Sequence, residues 1–131
     1  MTKIKISRKF EGGQSLVLLL IFVVMAIAIA TAATFIIAAN SLAATNVSLG
    51  IATKNMAETG AETALVQLLR DPTYSGGTFS VDTGTVTATV SGTTNITIDS
   101  TAVNGIFTKR VEVKATYSNN VLTPVSWKDL N

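Results

Sequence analysis

Three places in this sequence hold residue types that could do chemistry. The first is Gly12-Gly13-Gln14, where two glycines come after a basic leader carrying Lys3, Lys5, Arg8 and Lys9. The chemistry there would be done to the chain: hydrolysis of the peptide bond between Gly13 and Gln14. Each glycine costs a helix about 1 kcal/mol and favours extended, accessible backbone, which a protease needs. The same pair could also serve only as a juxtamembrane bend. The second place is Lys54, Glu58 and Glu62, spaced by four. Two carboxylates with no His and no third ligand make a poor transition-metal site, so they read as a solvated helix face. The third is Ser15, close in sequence to Arg8 and Lys9, which form no nucleophile–base pair with it. The chain has no Cys and no His, which excludes disulfides, thiolate zinc sites, imidazole bases and cysteine nucleophiles. With no phosphate loop or catalytic triad either, no enzyme activity, cofactor or metal is expected.

The charge balance points the same way. The formal charge is +2, from ten basic and eight acidic residues. Residues 1–13 hold four of the bases and one acid, so residues 14–131 carry six bases against seven acids, a net of −1. That argues against a nucleic-acid surface and makes the leader charges topogenic. The chain is 47% hydrophobic but only 14% charged, a balance that suits a membrane or assembly surface better than a cytosolic enzyme.

The elements that would position these residues divide the chain into three parts: a leader at 1–13, an apolar helix at 14–45 and a head at 46–131. From Leu16 to Ala39 the chain is uncharged and apolar apart from Thr31 and Thr34, and it includes Leu18, Leu20, Val24 and Ala28. Those residues as a helix would span about 36 Å, enough to cross a bilayer with some tilt. Small residues crowd the second half of the run, which favours close helix packing in lipid. A secretory signal peptide is the rival reading, with Ala30-Thr31-Ala32 as its cleavage site. Cleavage there would leave Phe35-Ile36-Ile37 exposed near the new terminus.

Beyond Asn40 the chain keeps a helical pattern. Ala57, Ala61, Ala64, Leu65 and Leu68 recur at i, i+4, i+7, i+8 and i+11, one face of a helix, with Glu58 and Glu62 on the wet side. Gly50 and Gly60 are weak points, and Asp71-Pro72 stops the helix. A single helix from Gln14 to Arg70 would be about 85 Å long, so its second half must stand outside a bilayer. After Pro72 the period falls to two, with strands predicted at Thr78–Val81, Val86–Ser91, Asn95–Ile98, Ile106–Tyr117 and Val121–Trp127. Val111, Val113 and Ala115 alternate with Arg110, Glu112 and Lys114, as in a sheet with one buried face. Pro124 confines the last strand to an edge. The fold class expected is α+β: a long N-terminal helix packed through its C-terminal half on a small antiparallel sheet.

A basic leader ending in glycine, an apolar helix and a small sheet together resemble the type IV pilin superfamily. Met56-Ala57-Glu58-Thr59-Gly60-Ala61-Glu62-Thr63-Ala64-Leu65 is similar to the Ala-Glu-Ala-Gly-Ala-Glu segment of PilX-like minor pilins. The likeness in motif covers residues 8–70; the sheet region is alike only in architecture. The resemblance implies a structural subunit of a pilus or pseudopilus. It implies cleavage after Gly13 by a prepilin peptidase and methylation of Gln14. It also implies single-pass residence in the cytoplasmic membrane with the head outside, then extraction by an assembly platform and ATPase into a surface filament. The partners are other pilin subunits, whose apolar helices bundle at the filament core.

Two positions depart from the family pattern. Gln14 stands where Phe or Met usually begins the mature chain, and Leu18 stands where a Glu usually pairs with a neighbour's terminal amine. A carboxylate in lipid is costly and is kept where it meets a partner. Its absence points to a minor or tip subunit. Two other readings remain: a bitopic membrane protein whose head binds an envelope partner, and an adhesin-like domain released by signal peptidase.

Overall fold

A computed structural model of the protein describes residue 2 and residues 11–130. The basic residues of the leader, Lys3, Lys5, Arg8 and Lys9, lie outside the described residues. The element order is α1 (Glu11–Arg70) followed by β1 (Gly76–Val81), β2 (Gly84–Ser91), β3 (Asn95–Asn104), β4 (Phe107–Ser118) and β5 (Val121–Leu130). This is the α+β fold expected. The chain divides into two compact units, Met1–Ala43 and Ala44–Asn131.

From Glu11 onwards the first unit is helix alone. Gly12 and Gly13 are helical, contrary to the extended backbone expected of them. Once a helix is nucleated each added residue gains a hydrogen bond, and the adjoining leucine-rich turns outweigh two glycines at the end. The apolar residues surround the helix on all sides and give it no amphipathic bias.

In the second unit residues 44–70 of α1 lie on one face of an antiparallel sheet whose strands follow chain order, β1-β2-β3-β4-β5. Ala57, Ala61, Ala64 and Leu68 are buried, and Leu65 packs against them at the margin. Opposite stand Val86 and Ala88 of β2, Ile96, Ile98 and Ala102 of β3, and Val111 and Val113 of β4. Burying each Val, Leu or Ile of this layer contributes about 1.5–3 kcal/mol and each Ala less, and the alanines let the helix sit close to the sheet. Thr53 and Met56 extend the buried face of α1 one turn further towards the N-terminus than the expected stripe, and Gly60 joins it within the stripe. The helix ends at Arg70, where Asp71 begins a turn: its carboxylate accepts from the Thr73 amide (2.9 Å) and the Thr73 hydroxyl (2.6 Å).

All five expected strands are present, and the outer ends differ. β3 runs six residues beyond Ile98 to Asn104, and β5 continues past Trp127 to Leu130. The turns are tighter than expected. Asn119 and Asn120 both have positive φ (53° and 62°), the requirement of a type I′ hairpin loop. Between β3 and β4 the turn is Gly105-Ile106 with Gly105 at φ 60°, so Ile106 lies outside the strand expected to begin with it. Pro124 lies on the edge strand β5, as expected, and the β4–β5 register shifts at Lys114/Ala115 beside it. Proline has no N–H to give to the ladder, and a bulge accommodates it.

Candidate functional site: an apolar helix surface and a cleavage site

The sequence places its functional weight on residues 13–43, and there α1 is exposed throughout. Leu16, Leu20, Val24 and Ala28 follow one i, i+4 row along the helix. Leu18 is two residues from Leu16 and therefore on another side, 61% exposed. The five do not form one face; they sample a cylinder that is apolar all round. Such a cylinder fits lipid or the middle of a helical bundle, and it excludes a helix lying half-wet on a globular surface. Among the described residues one helix is long and apolar enough to cross a bilayer, and its most apolar 18-residue stretch has no buried residue.

The hydroxyls of Thr31 and Thr34 in this span are satisfied within the helix. Thr31 donates to the Ile27 carbonyl at 2.8 Å and Thr34 to the Ala30 carbonyl at 2.9 Å. Neither leaves an unpaired donor for the apolar medium, which removes most of the penalty for a polar group there. Beside the large side chains of Ile27 and Phe35, the small residues Ala30, Thr31, Thr34 and Ala38 leave a shallow, open apolar groove on the helix surface. A groove of this kind admits the ridge of a second helix.

At Gly12 and Gly13 a side chain would meet nothing within 4 Å, so the surroundings of the Gly13–Gln14 bond are open. A protease would have to unwind the first turns, which for terminal glycines costs little.

In the head, Lys54 finds a partner that sequence spacing did not indicate. Its ammonium is 2.7 Å from Asp129 Oδ2 and 3.8 Å from Glu58 Oε1. The hydrogen bond to Asp129, and then its charge, push the Lys54 pKa above the ordinary lysine value. The pair with Asp129 bridges α1 and the edge strand β5 at the surface of the head. Asp99 of β3 and Arg110 of β4 form a cross-strand ion pair at 2.8 Å on the sheet face away from α1. Among the described residues no group of three or more His, Cys, Asp or Glu could hold a metal.

Sequence reading also missed the contact between Gly60 and the sheet. Ala57, Gly60, Ala61 and Ala64 are all small at i, i+3, i+4 and i+7, and that spacing is the signal that a helix approaches its partner closely there. Thr53 is fully buried too, with its hydroxyl donated to the Leu49 carbonyl at 2.7 Å. No protein-family model matches this chain, and no curated protein or solved structure matches it.

Proposed function

We propose that this chain is a structural subunit of a type IV pilus or a related pseudopilus. In this reading it is made as a single-pass precursor with its leader in the cytoplasm and its head outside. A prepilin peptidase cuts after Gly13, and an assembly platform with its ATPase then moves the mature chain into a cell-surface filament of pilin subunits. One observation carries the proposal. The helix that packs the head's sheet continues towards the N-terminus as an uncharged helix apolar on every side. Such a helix has two compatible surroundings, lipid before assembly and other copies of itself afterwards. The Ala30–Ala38 groove and the internally satisfied threonines suit both.

Leu18, where the superfamily usually has a Glu, makes residence in the membrane less costly and supplies no charge to set register in a bundle. On the superfamily pattern it favours a minor or tip position. The direct test is the N-terminus of the protein isolated from its own cells. A mature chain beginning at Gln14, with a methylated amine, is the expected result. An intact Met1 would replace this reading with a bitopic membrane protein, and a chain beginning at Ala33 would replace it with a signal-peptidase product.

A further inference from the structure

The mature chain left by cleavage after Gly13 begins with a residue that can react with itself. Gln14 is exposed near the start of α1, and the two glycines before it leave its surroundings open. From Gln14 to Thr53 the sequence holds no charged side chain, and Lys54 is the first. Cutting after Gly13 adds one charge to this segment, the ammonium of the new terminus. That charge is poorly placed. It sits at the N-terminal, positive end of the helix dipole. It adjoins the apolar run that starts at Leu16, and a charge in lipid is costly unless it meets a partner. A copy of this chain supplies no such partner, because Leu18 stands where the superfamily pattern has a Glu.

Glutamine at a free N-terminus removes that charge by its own chemistry. The α-amine and the Cδ carbonyl belong to one short chain, so attack closes a five-membered ring between groups held at high effective concentration. The nucleophile is the neutral fraction of the amine, which is appreciable near neutral pH. A bond forms between the amine nitrogen and Cδ, the Cδ–Nε2 bond breaks, and ammonia leaves with the surplus proton. No oxidant, cofactor or second protein enters the balance. A methylated amine is secondary and keeps its lone pair, so methylation followed by ring closure is chemically consistent. The helix loses no hydrogen bond, because its first N–H groups have no partner within α1, which is also why Pro is tolerated at a first helical position.

We propose that Gln14, freed by cleavage after Gly13, is converted to pyroglutamate in the mature chain. The ring leaves the whole segment before Lys54 without formal charge. The subunit then offers its neighbours neither a terminal ammonium nor, with Leu18, a carboxylate. Along this segment it meets them through the exposed apolar surface of α1 alone. A minor or tip position needs no charge pair repeated from copy to copy, so the neutral terminus suits the position favoured above. The ring rests on the filament reading, through its cleavage at Gly13, and adds the chemical state of the new terminus.

The test uses the protein isolated from its own cells, with its N-terminal peptide read by tandem mass spectrometry. The peptide is read rather than the intact chain because Asn104-Gly105 can also lose ammonia. An isotopically labelled peptide of residues 14–20, its glutamine open, is added at lysis to report any closure during handling. The expected result is a terminus at residue 14 lighter by one ammonia than open glutamine, while the labelled peptide stays open. Gln14→Met has no carboxamide, so its terminus should keep a free or methylated amine. An open Gln14 in the protein would overturn the proposal. Equal closure of the labelled peptide, or the same ammonia loss in Gln14→Met, would overturn it as well. A chain beginning at an open Gln14 leaves the filament reading standing, whereas an intact Met1 or a start at Ala33 removes that reading and the ring with it.

Discussion

Gly60 of α1 lies so close to Ser100 of β3 that a methyl group on Gly60 would overlap both the Ser100 hydroxyl and Val86 Cγ1. The helix and the sheet meet at this point with nothing between them. A glycine in mid-helix ordinarily costs about 1 kcal/mol against alanine. Here that cost is offset by the layer spacing the glycine permits.

Gly60→Ala is therefore expected to destabilise the head by about 1–3 kcal/mol despite its better helix propensity. Gly50→Ala provides the contrast, because a side chain there meets nothing within 4 Å. It is expected to be neutral or to stabilise by up to about 1 kcal/mol. Denaturant unfolding of the full chain in detergent, followed by the fluorescence of the single tryptophan, Trp127, measures both. Equal effects from the two substitutions would refute the close approach.

Ser100 is fully buried and its hydroxyl has no hydrogen-bond partner. An unpaired buried hydroxyl costs about 1–3 kcal/mol in desolvation. Ser100→Ala removes it and loses no bond, so stability is expected to hold or to rise. A fall of more than about 1 kcal/mol, the net worth of a typical hydrogen bond, would mean that the hydroxyl is bonded after all.

Two groups outside the apolar span set opposite ends of a pH profile. Hydrogen bonds from Thr73, first its hydroxyl and then its amide, lower the Asp71 pKa from the usual 3.8. Its contribution to stability is present above that value and is lost as the pH falls through the lowered one. Lys54 is raised above 10.5 by Asp129, so its contribution is whole below 10.5 and is lost as the pH rises through the raised value. Between these limits neither group should alter stability. Asp129→Asn should flatten the alkaline limb and Thr73→Ala should weaken the acid one, both read as midpoint temperature against pH. An alkaline limb unchanged in Asp129→Asn would dissociate Lys54 from β5.

Filling the groove on the apolar helix tests its use. Ala30→Leu and Ala38→Leu raise hydropathy, so membrane insertion should be retained. Assembly into filaments should fall sharply, because a helix ridge no longer fits. Cell fractionation and shear-released filament yield distinguish the two effects. Normal filament yield from both variants would remove the groove from the packing surface.

Replacing Gly13 by a bulky residue is expected to leave the leader attached and to stop assembly, as intact mass would show. Continued removal of residues 1–13 would contradict the proposed cleavage site.

The architecture is legible in the sequence because the periodicity changes at Pro72: Ala57 to Leu68 repeats as a helix face, and Val111-Val113-Ala115 alternates as a strand. The faces those patterns name are the ones that meet. Properties of pairs distant in sequence are not legible in this way. Lys54 can be matched with Glu58 by counting four residues, but Asp129 lies 75 positions away and only the fold brings it within 2.7 Å. Gly60 reads as a weakness because propensity is local, whereas the Ser100 contact is not. Isoleucine favours strands, which would put Ile106 in β4, and the Asn104↔Phe107 pairing overrules that preference. The helical Gly12-Gly13 shows the reverse case, in which the neighbouring turns override two poor helix formers.

The order of the sheet has a consequence for how the head comes to exist. Every strand pairs with its neighbour in the chain, β1 with β2 through to β4 with β5. Each pairing closes only a short loop, so contact order within the sheet is low and the strands can zip in sequence as the chain emerges. The helix is different. α1 precedes all five strands and reaches Val86, Ser100 and Val113 only after β2, β3 and β4 exist. Until then the Ala57–Leu68 stripe is bare, and the rate-limiting event for the head should be the docking of a finished meander onto a helix that has been waiting for it.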